Sequence, residues 1–148
     1  MNFISSFAHI SIVIISLIYL SSCDKEPDEI NLKIEDSYFK KTLIESNTVA
    51  AYMTVTNMGS KEIILSGLDC LESEDAFMHD VIVKPETGMI SMTVIDRLKI
   101  LPKEKVSFLP GGKHIMIVGI NTSEDISCSI MDSFKRTFKI KFYSVGKG

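Results

Sequence analysis

Two histidines and a few methionines are the side chains of this 148-residue chain best suited to chemistry. His114 and Met116 stand in PGGKHIMIVGI, residues 110–120, a glycine turn followed by a run rich in isoleucine and valine. Strand side chains two apart share a face, so this imidazole and thioether project side by side, about 7 Å apart along the chain. His79 lies in FMHDVIV, where Met78 beside it points to the opposite face, and Met89 and Met92 follow the turn Pro85–Gly88. Imidazole and thioether together make a donor set for a soft or borderline ion. Thioether sulfur is a weak ligand for Zn²⁺ and hard cations but suits Cu(I). A blue-copper centre needs a cysteine with two histidines, and Cys70 and Cys128 lie far from this pattern in sequence. Taken singly, a strand histidine is ordinarily a hydrogen-bonded structural residue and a methionine a core filler. The recurrence of both types together in strand-like segments is what points to coordination.

The elements that must position these residues are short strands. Val49, Ala51, Met53 and Val55 alternate with Ala50, Tyr52, Thr54 and Thr56. Ile30, Leu32 and Ile34 alternate with polar neighbours, as do Ile126, Cys128 and Ile130, and Phe134, Phe138, Ile140 and Phe142 share one parity. Turn signals separate the runs at residues 57–60, 85–88, 102–103, 110–112 and 121–123. This pattern predicts an all-β antiparallel sandwich or barrel, with no repeat and no second domain.

The formal charge of −3 and the absence of a basic block give no reason to expect nucleic acid as a partner. The first 22 residues contain no Asp, Glu, Lys or Arg. Their apolar run, Ile10–Leu20, is short for a membrane span but suits the core of a signal peptide. Leu20-Ser21-Ser22-Cys23 resembles a bacterial lipobox, in which the cysteine is lipidated and becomes the first mature residue. The n-region departs from that pattern, having only His9 where Lys or Arg is usual. The alternative is an uncleaved N-terminal anchor. Both readings place the remainder outside the cytoplasm. Residues 23–31, polar with one proline, read as a tether, and residues 32–148 as the domain. Asp24 resembles an inner-membrane retention signal of some lipoproteins. Cys70 and Cys128 are either a disulfide, which an oxidising compartment permits, or buried thiols. A thioredoxin-like role is disfavoured because there is no Cys-x-x-Cys.

The spacing of the histidines and methionines resembles that of the periplasmic copper chaperones called PCuAC. Their signature is His, ten residues, Met, about twenty-one residues, then His-x-Met. Here 21 residues separate Met92 from His114, and Met116 completes His-x-Met, but 12 rather than ten separate His79 from Met92. An insertion of two in the turn Lys84–Gly88 keeps strand register. AAYMTVTN, residues 50–57, and LKIEDSYFKK, residues 32–41, resemble further strands of the family, with Tyr38 where a tryptophan is usual. The resemblance runs from about Leu32 to Val145. It implies a cupredoxin-like β-sandwich, one Cu(I) near the surface, and His79, Met92, His114 and Met116 as ligands, with Met89 a further candidate. It also implies copper delivery, without enzymatic chemistry, to an oxidase subunit or another copper chaperone.

Two other functions compete with that expectation. One is a metal-free structural or interaction lipoprotein. The other is a copper redox enzyme or electron carrier, weakened by the missing thiolate ligand. The N-terminal reading has a direct test. Cys23→Ser is expected to leave the protein unlipidated and released by high-salt washing of membranes, with the domain still folded. A variant that stays membrane-bound instead identifies an uncleaved anchor.

Overall fold

The computed structural model describes residues 30–41, 47–71, 73–120 and 124–145. The lipobox, most of the tether and the turn at 121–123 lie outside them. All regular structure in the described residues is β: β1 (Leu32–Lys41), β2 (Thr48–Asn57), β3 (Ile63–Cys70), β4 (Asp75–Val83), β5 (Ile90–Val94), β6 (Leu98–Ile100), β7 (Lys105–Phe108), β8 (His114–Val118), β9 (Ile126–Asp132) and β10 (Thr137–Ser144). The strands hydrogen-bond in the order β5-β4-β8-β2-β1-β10-β9-β3-β6. β7 pairs β2 alongside Met53–Thr56, while β8 pairs the same edge of β2 at Thr48–Ala51. The sheet curls on itself as an open half-barrel, so β5-β4-β8-β2-β1 and β10-β9-β3-β6 enclose one core between them.

The core follows the alternation of the sequence. Val49, Ala51, Met53 and Val55 of β2 are fully buried, as are Ile115 and Ile117 of β8. Ile126, Cys128 and Ile130 face them from β9, and Ile140 and Phe142 from β10. Each such aliphatic or aromatic side chain contributes about 1.5–3 kcal/mol on leaving water. Phe134 departs from the expected parity. It lies in the β9–β10 turn, not in a strand, and is 73% exposed. The antiparallel expectation fails at one seam, β1 against β10, which pair in parallel at Tyr38↔Tyr143 and Phe39↔Ser144. A bulge precedes that seam. Asp36 (φ 52°) and Ser37 together stand against the single residue Met53, one more than the partner strand, and Ser37 Oγ donates to the Lys141 carbonyl at 2.8 Å. The left-handed conformation is one that aspartate tolerates.

Three polar or covalent ties fasten the ends of strands. Asn57, wholly buried at the end of β2, donates through Nδ2 to the carbonyls of Lys61 (2.7 Å) and Ile100 (3.2 Å) and accepts from Gly59 N–H through Oδ1 (3.0 Å). Cys70 and Cys128, directly opposed on β3 and β9, form a disulfide with Cα atoms 4.0 Å apart. Closing a loop of 58 residues stabilises by about 4 kcal/mol in the chain-entropy account. Asp132 closes the β9–β10 turn. Its Oδ1 accepts the N–H groups of Phe134 and Arg136, each at 2.9 Å, and its Oδ2 accepts from Arg136 Nε at 2.6 Å.

Burial alone would raise the Asp132 pKa. The Arg136 side chain and the two backbone donors outweigh it and hold the carboxyl below its ordinary 3.8. The resulting stability is present above pH 3.8 and is lost as pH falls through the lower folded value. Asp132→Ala is expected to cost about 2–3 kcal/mol in urea unfolding at neutral pH, because three part-buried donors lose a charged acceptor. That deficit against the parent should narrow in acid.

Candidate metal centre

Antiparallel pairing of β4 with β8 sets the centre. The register runs Phe77↔Met116, Met78↔Ile115, His79↔His114. Met78 and Ile115 sit in the core, so the residues either side of each face outward together. His79 and His114 are therefore immediate neighbours on the outer face, their rings edge to face with centroids 5.6 Å apart. Phe77 stacks parallel to the His79 ring at 6.1 Å and pairs across the strands with Met116. On the other side, β5 pairs with β4 as Val81↔Met92 and His79↔Val94. Met92 thus shares the outer face, and it is 64% exposed.

Of the five residues expected to bear on a metal, four lie on one face. His79 is the hub, directly opposite His114 and diagonal to both Met116 and Met92, with diagonal Cα separations of roughly 7–8 Å. The two methionines occupy opposite diagonals. In a flat sheet they would stand roughly 10 Å apart across the strands and 13 Å along them. Met89 falls outside this group. It precedes β5, in the connection 84–89, and is 60% exposed. The pairing of β4 with β5 is unbroken to Val83↔Ile90, so the long His79–Met92 spacing is taken up by that connection. Gly88 (φ 66°) and its N–H bond to the Lys84 carbonyl (2.8 Å) shape the turn.

The glycine turn before β8 sets the chemistry of His114. Leu109 N–H bonds to the Lys113 carbonyl at 2.7 Å and Gly112 N–H to the Leu109 carbonyl at 3.0 Å, with Gly111 at φ 81°. This loop brings the Gly112 carbonyl 2.9 Å from His114 Nδ1. A carbonyl can only accept, so Nδ1 carries the proton and the Nε2 lone pair is left for another partner. His79 Nδ1, in contrast, is buried with no hydrogen-bond partner. An unpaired buried nitrogen of this kind costs about 1–3 kcal/mol, and an ion bound there would offset that cost. Burial, and then the neighbouring His114, lower the His79 pKa below its ordinary 6.5. Both effects favour the neutral ring that a metal requires.

Asp75 shares this face of β4 but lies four residues from His79, and its Oδ1 accepts from Ala76 N–H at 2.8 Å. Asp80 has the opposite parity to His79, and its Oδ2 is engaged by Lys113 Nζ at 2.6 Å. Among the described residues, no group of three or more His, Cys, Asp or Glu side chains is arranged to hold a metal ion. An ion at the histidine pair would therefore take its further protein ligands from methionine, which selects a soft cation.

In the metal-free protein the His79 ring is expected to titrate below pH 6.5 by NMR. His114→Leu should raise that midpoint only in part, because burial is the larger cause. The sign for stability follows. The contribution of a neutral His79 is complete above pH 6.5 and is lost as pH falls toward the lower folded value.

Comparison with known proteins assigns the frame. Among solved structures, the copper-bound PCuAC domain from PmoF2 superposes with a TM-score of 0.63 at 18% identity, covering 80% of this chain and 97% of that one. The Cu(I) form of DR1885 from Deinococcus radiodurans gives 0.59 at 17% identity, covering 85% of each chain. The apo PCuAC domain from PmoF1 gives 0.62 at 13% identity, covering 80% of this chain and 98% of that one. At these identities the likeness establishes the cupredoxin-like fold of PCuAC domains. No curated protein matches by sequence. The sequence profile of the LpqE-like family, whose description names a lipoprotein, matches residues 32–127, more than half of the chain. The chain belongs to the LpqE-like family.

Proposed function

We propose that this protein is a metallochaperone that carries one Cu(I) outside the cytoplasm. The carrying observation is the cross-strand pair His79 and His114, with His79 Nδ1 buried and unpartnered. His79, His114, Met116 and Met92 are the proposed ligands. Copper in the PmoF2 domain and Cu(I) in DR1885 support the reading, since both share this fold. The copper is cargo, and the protein acts as a carrier rather than an enzyme.

The geometry suggests an order of binding. His79 and His114 are held by β4 and β8, and Met116 is fixed on β8 beside them. Met92 sits on the exposed hairpin, on the opposite diagonal, and joins the other donors only as the twisted hairpin curls over His79. Release reverses this. An incoming donor from the partner displaces the exposed Met92 thioether first, while the imidazoles still hold the ion. A copper-accepting oxidase subunit, building its binuclear centre, or another copper chaperone is the proposed acceptor. The LpqE-like assignment supports the lipoprotein reading. In that reading residues 1–22 are a signal peptide, Cys23 is lipidated, residues 23–31 are a tether, and the domain of residues 32–148 stands on the periplasmic side of a bacterial membrane.

Titration against a calibrated Cu(I) chelator is expected to show one equivalent bound, in preference to Zn²⁺. Equal or tighter Zn²⁺ binding would overturn the soft-site reading. X-ray absorption of the loaded protein should find both nitrogen and sulfur ligands. Met92→Leu nearly conserves volume and should weaken Cu(I) binding at least about tenfold, since even supporting residues of a metal site cost that much. Met89→Leu should not. A larger loss from Met89→Leu would move the ligand into the connection 84–89.

A further inference from the structure

The end of the sandwich where the chain enters is chemically unlike the other. Ile30, Lys61, Ile64, Pro102, Phe134 and Arg136 line a groove of about 610 Å³ there. Backbone bonds from Met58 N–H to the Asn31 carbonyl (2.7 Å), Lys103 N–H to Asn57 (2.8 Å) and Ser133 N–H to Ile64 (2.9 Å) gather the β2–β3, β6–β7 and β9–β10 connections around it. Phe134 stands out from this end with the Arg136 guanidinium 5.0 Å from its ring, and Met58 and Leu101 are exposed nearby. These three connections carry Lys61, Lys103, Lys135 and Arg136 against Glu62 and Glu104, with Arg136 also paired to Asp132. The described connections at the opposite end carry Glu74, Asp96, Glu124 and Asp125 against Arg97 alone.

The chain outside the structure says what can cover this end. Six residues, Asp24–Glu29, separate the lipobox cysteine from Ile30, and fully extended the seven steps between them reach about 25 Å. The same length applies to an uncleaved anchor ending at Leu20–Ser22. Either attachment keeps this end of the domain within about 25 Å of the bilayer. An exposed aromatic ring with a guanidinium against it suits a headgroup layer, where the ring enters the boundary with the acyl chains and cations meet phosphate.

We propose that this end of the sandwich rests on anionic phospholipid, with Phe134 inserted at headgroup depth. The proposal rests on the N-terminal membrane attachment of the preceding reading. It adds an orientation for the copper centre. β4 runs parallel to β2, because both are antiparallel to β8. The tip of the β4–β5 hairpin, with exposed Val83 and Ile90, therefore lies toward the same end. Copper would be presented beside the membrane surface, where a membrane-embedded acceptor opens to the same side.

The chain has no tryptophan, so one introduced indole reports alone. The full membrane-attached chain is reconstituted in vesicles of phosphatidylglycerol and brominated phosphatidylcholine, as Phe134→Trp and, at the opposite end, as Leu71→Trp. Phe134→Trp emission should shift to shorter wavelength and be quenched by the bromines, while Leu71→Trp emission should do neither. A blue shift without quenching means that protein, either the chain's own tether or a second copy, fills the groove, and this overturns the proposal. So does equal quenching at both ends, or a chain that washes off the vesicles. Cu(I) titration of the same samples separates the two readings. Normal binding without quenching removes the docking alone, and quenching without copper binding removes the carrier reading alone.

Discussion

The register between β4 and β8 is the constraint on which the site depends. Side chains alternate along a strand, so a slip of one residue would turn His79 into the core and expose Met78. Burial holds the register. Met78 and Ile115 are opposed on the inner face, and a one-residue slip cannot bury both while leaving the imidazoles outside. The paired residues end at His79↔His114. One residue further on, the Asp80–Lys113 ion pair bridges the two strands at 2.6 Å. Both side chains are about a third exposed, so the pair contributes little stability in itself. Its position, immediately past the paired histidines, restrains the strands from splaying where the backbone ladder stops.

That register also explains the electrostatics of the centre. Two imidazoles 5.6 Å apart cannot comfortably both be charged. The neutral form of His79 is favoured first by its burial and then by its neighbour. The Gly112 carbonyl then settles the His114 tautomer. The glycine turn is thus part of the metal chemistry. A side chain at Gly111, where φ is 81°, would disturb the loop that aims the carbonyl, at a distance from any ligand atom.

Much of this was legible in the sequence, because period-two alternation is a physical consequence of one buried face. The inner residues of β2 and β9 stand where the alternation put them, and His114 and Met116 share a face for the same reason. Other features lay beyond it. β6 and β7 are three and four residues long, too short for a period to show. The parallel seam between β1 and β10 joins strands about a hundred residues apart and leaves no local signal. Phe134 followed the parity of β10, but the hydrogen bonds of Asp132 to Phe134 and Arg136 N–H make that segment a turn. The cysteine pair depended on β3 lying beside β9, which neither strand reveals alone. At the site, spacing to His114 selected Met92 over Met89, and the register puts Met92 within β5, diagonal to His79, and Met89 before the strand. The opposite placement of Met92 and Met116 around His79 was not readable, because spacing along the chain does not tell which diagonal a residue occupies.

The hairpin that carries Met92 breaks a rule that protects most sheets. β5 is a terminal strand in the hydrogen-bonding order, and ISMTV has no charge or proline to discourage pairing with another chain. Ile90, Met92 and Val94 are all exposed on it. Two features limit the hazard. The strand is five residues long, and the connection before it holds Lys84, Pro85 and Glu86, which make its tip a poor template. A charged guard within the strand itself would be costly for a carrier. A lysine at position 90 or 94 would place a cation two residues from Met92 and beside a site that must accept another cation. A glutamate there would supply a hard ligand and erode the preference for Cu(I). The uncharged edge and the soft donor set are therefore one design constraint: a face that admits a soft cation must forgo the charges that would otherwise shield its edge.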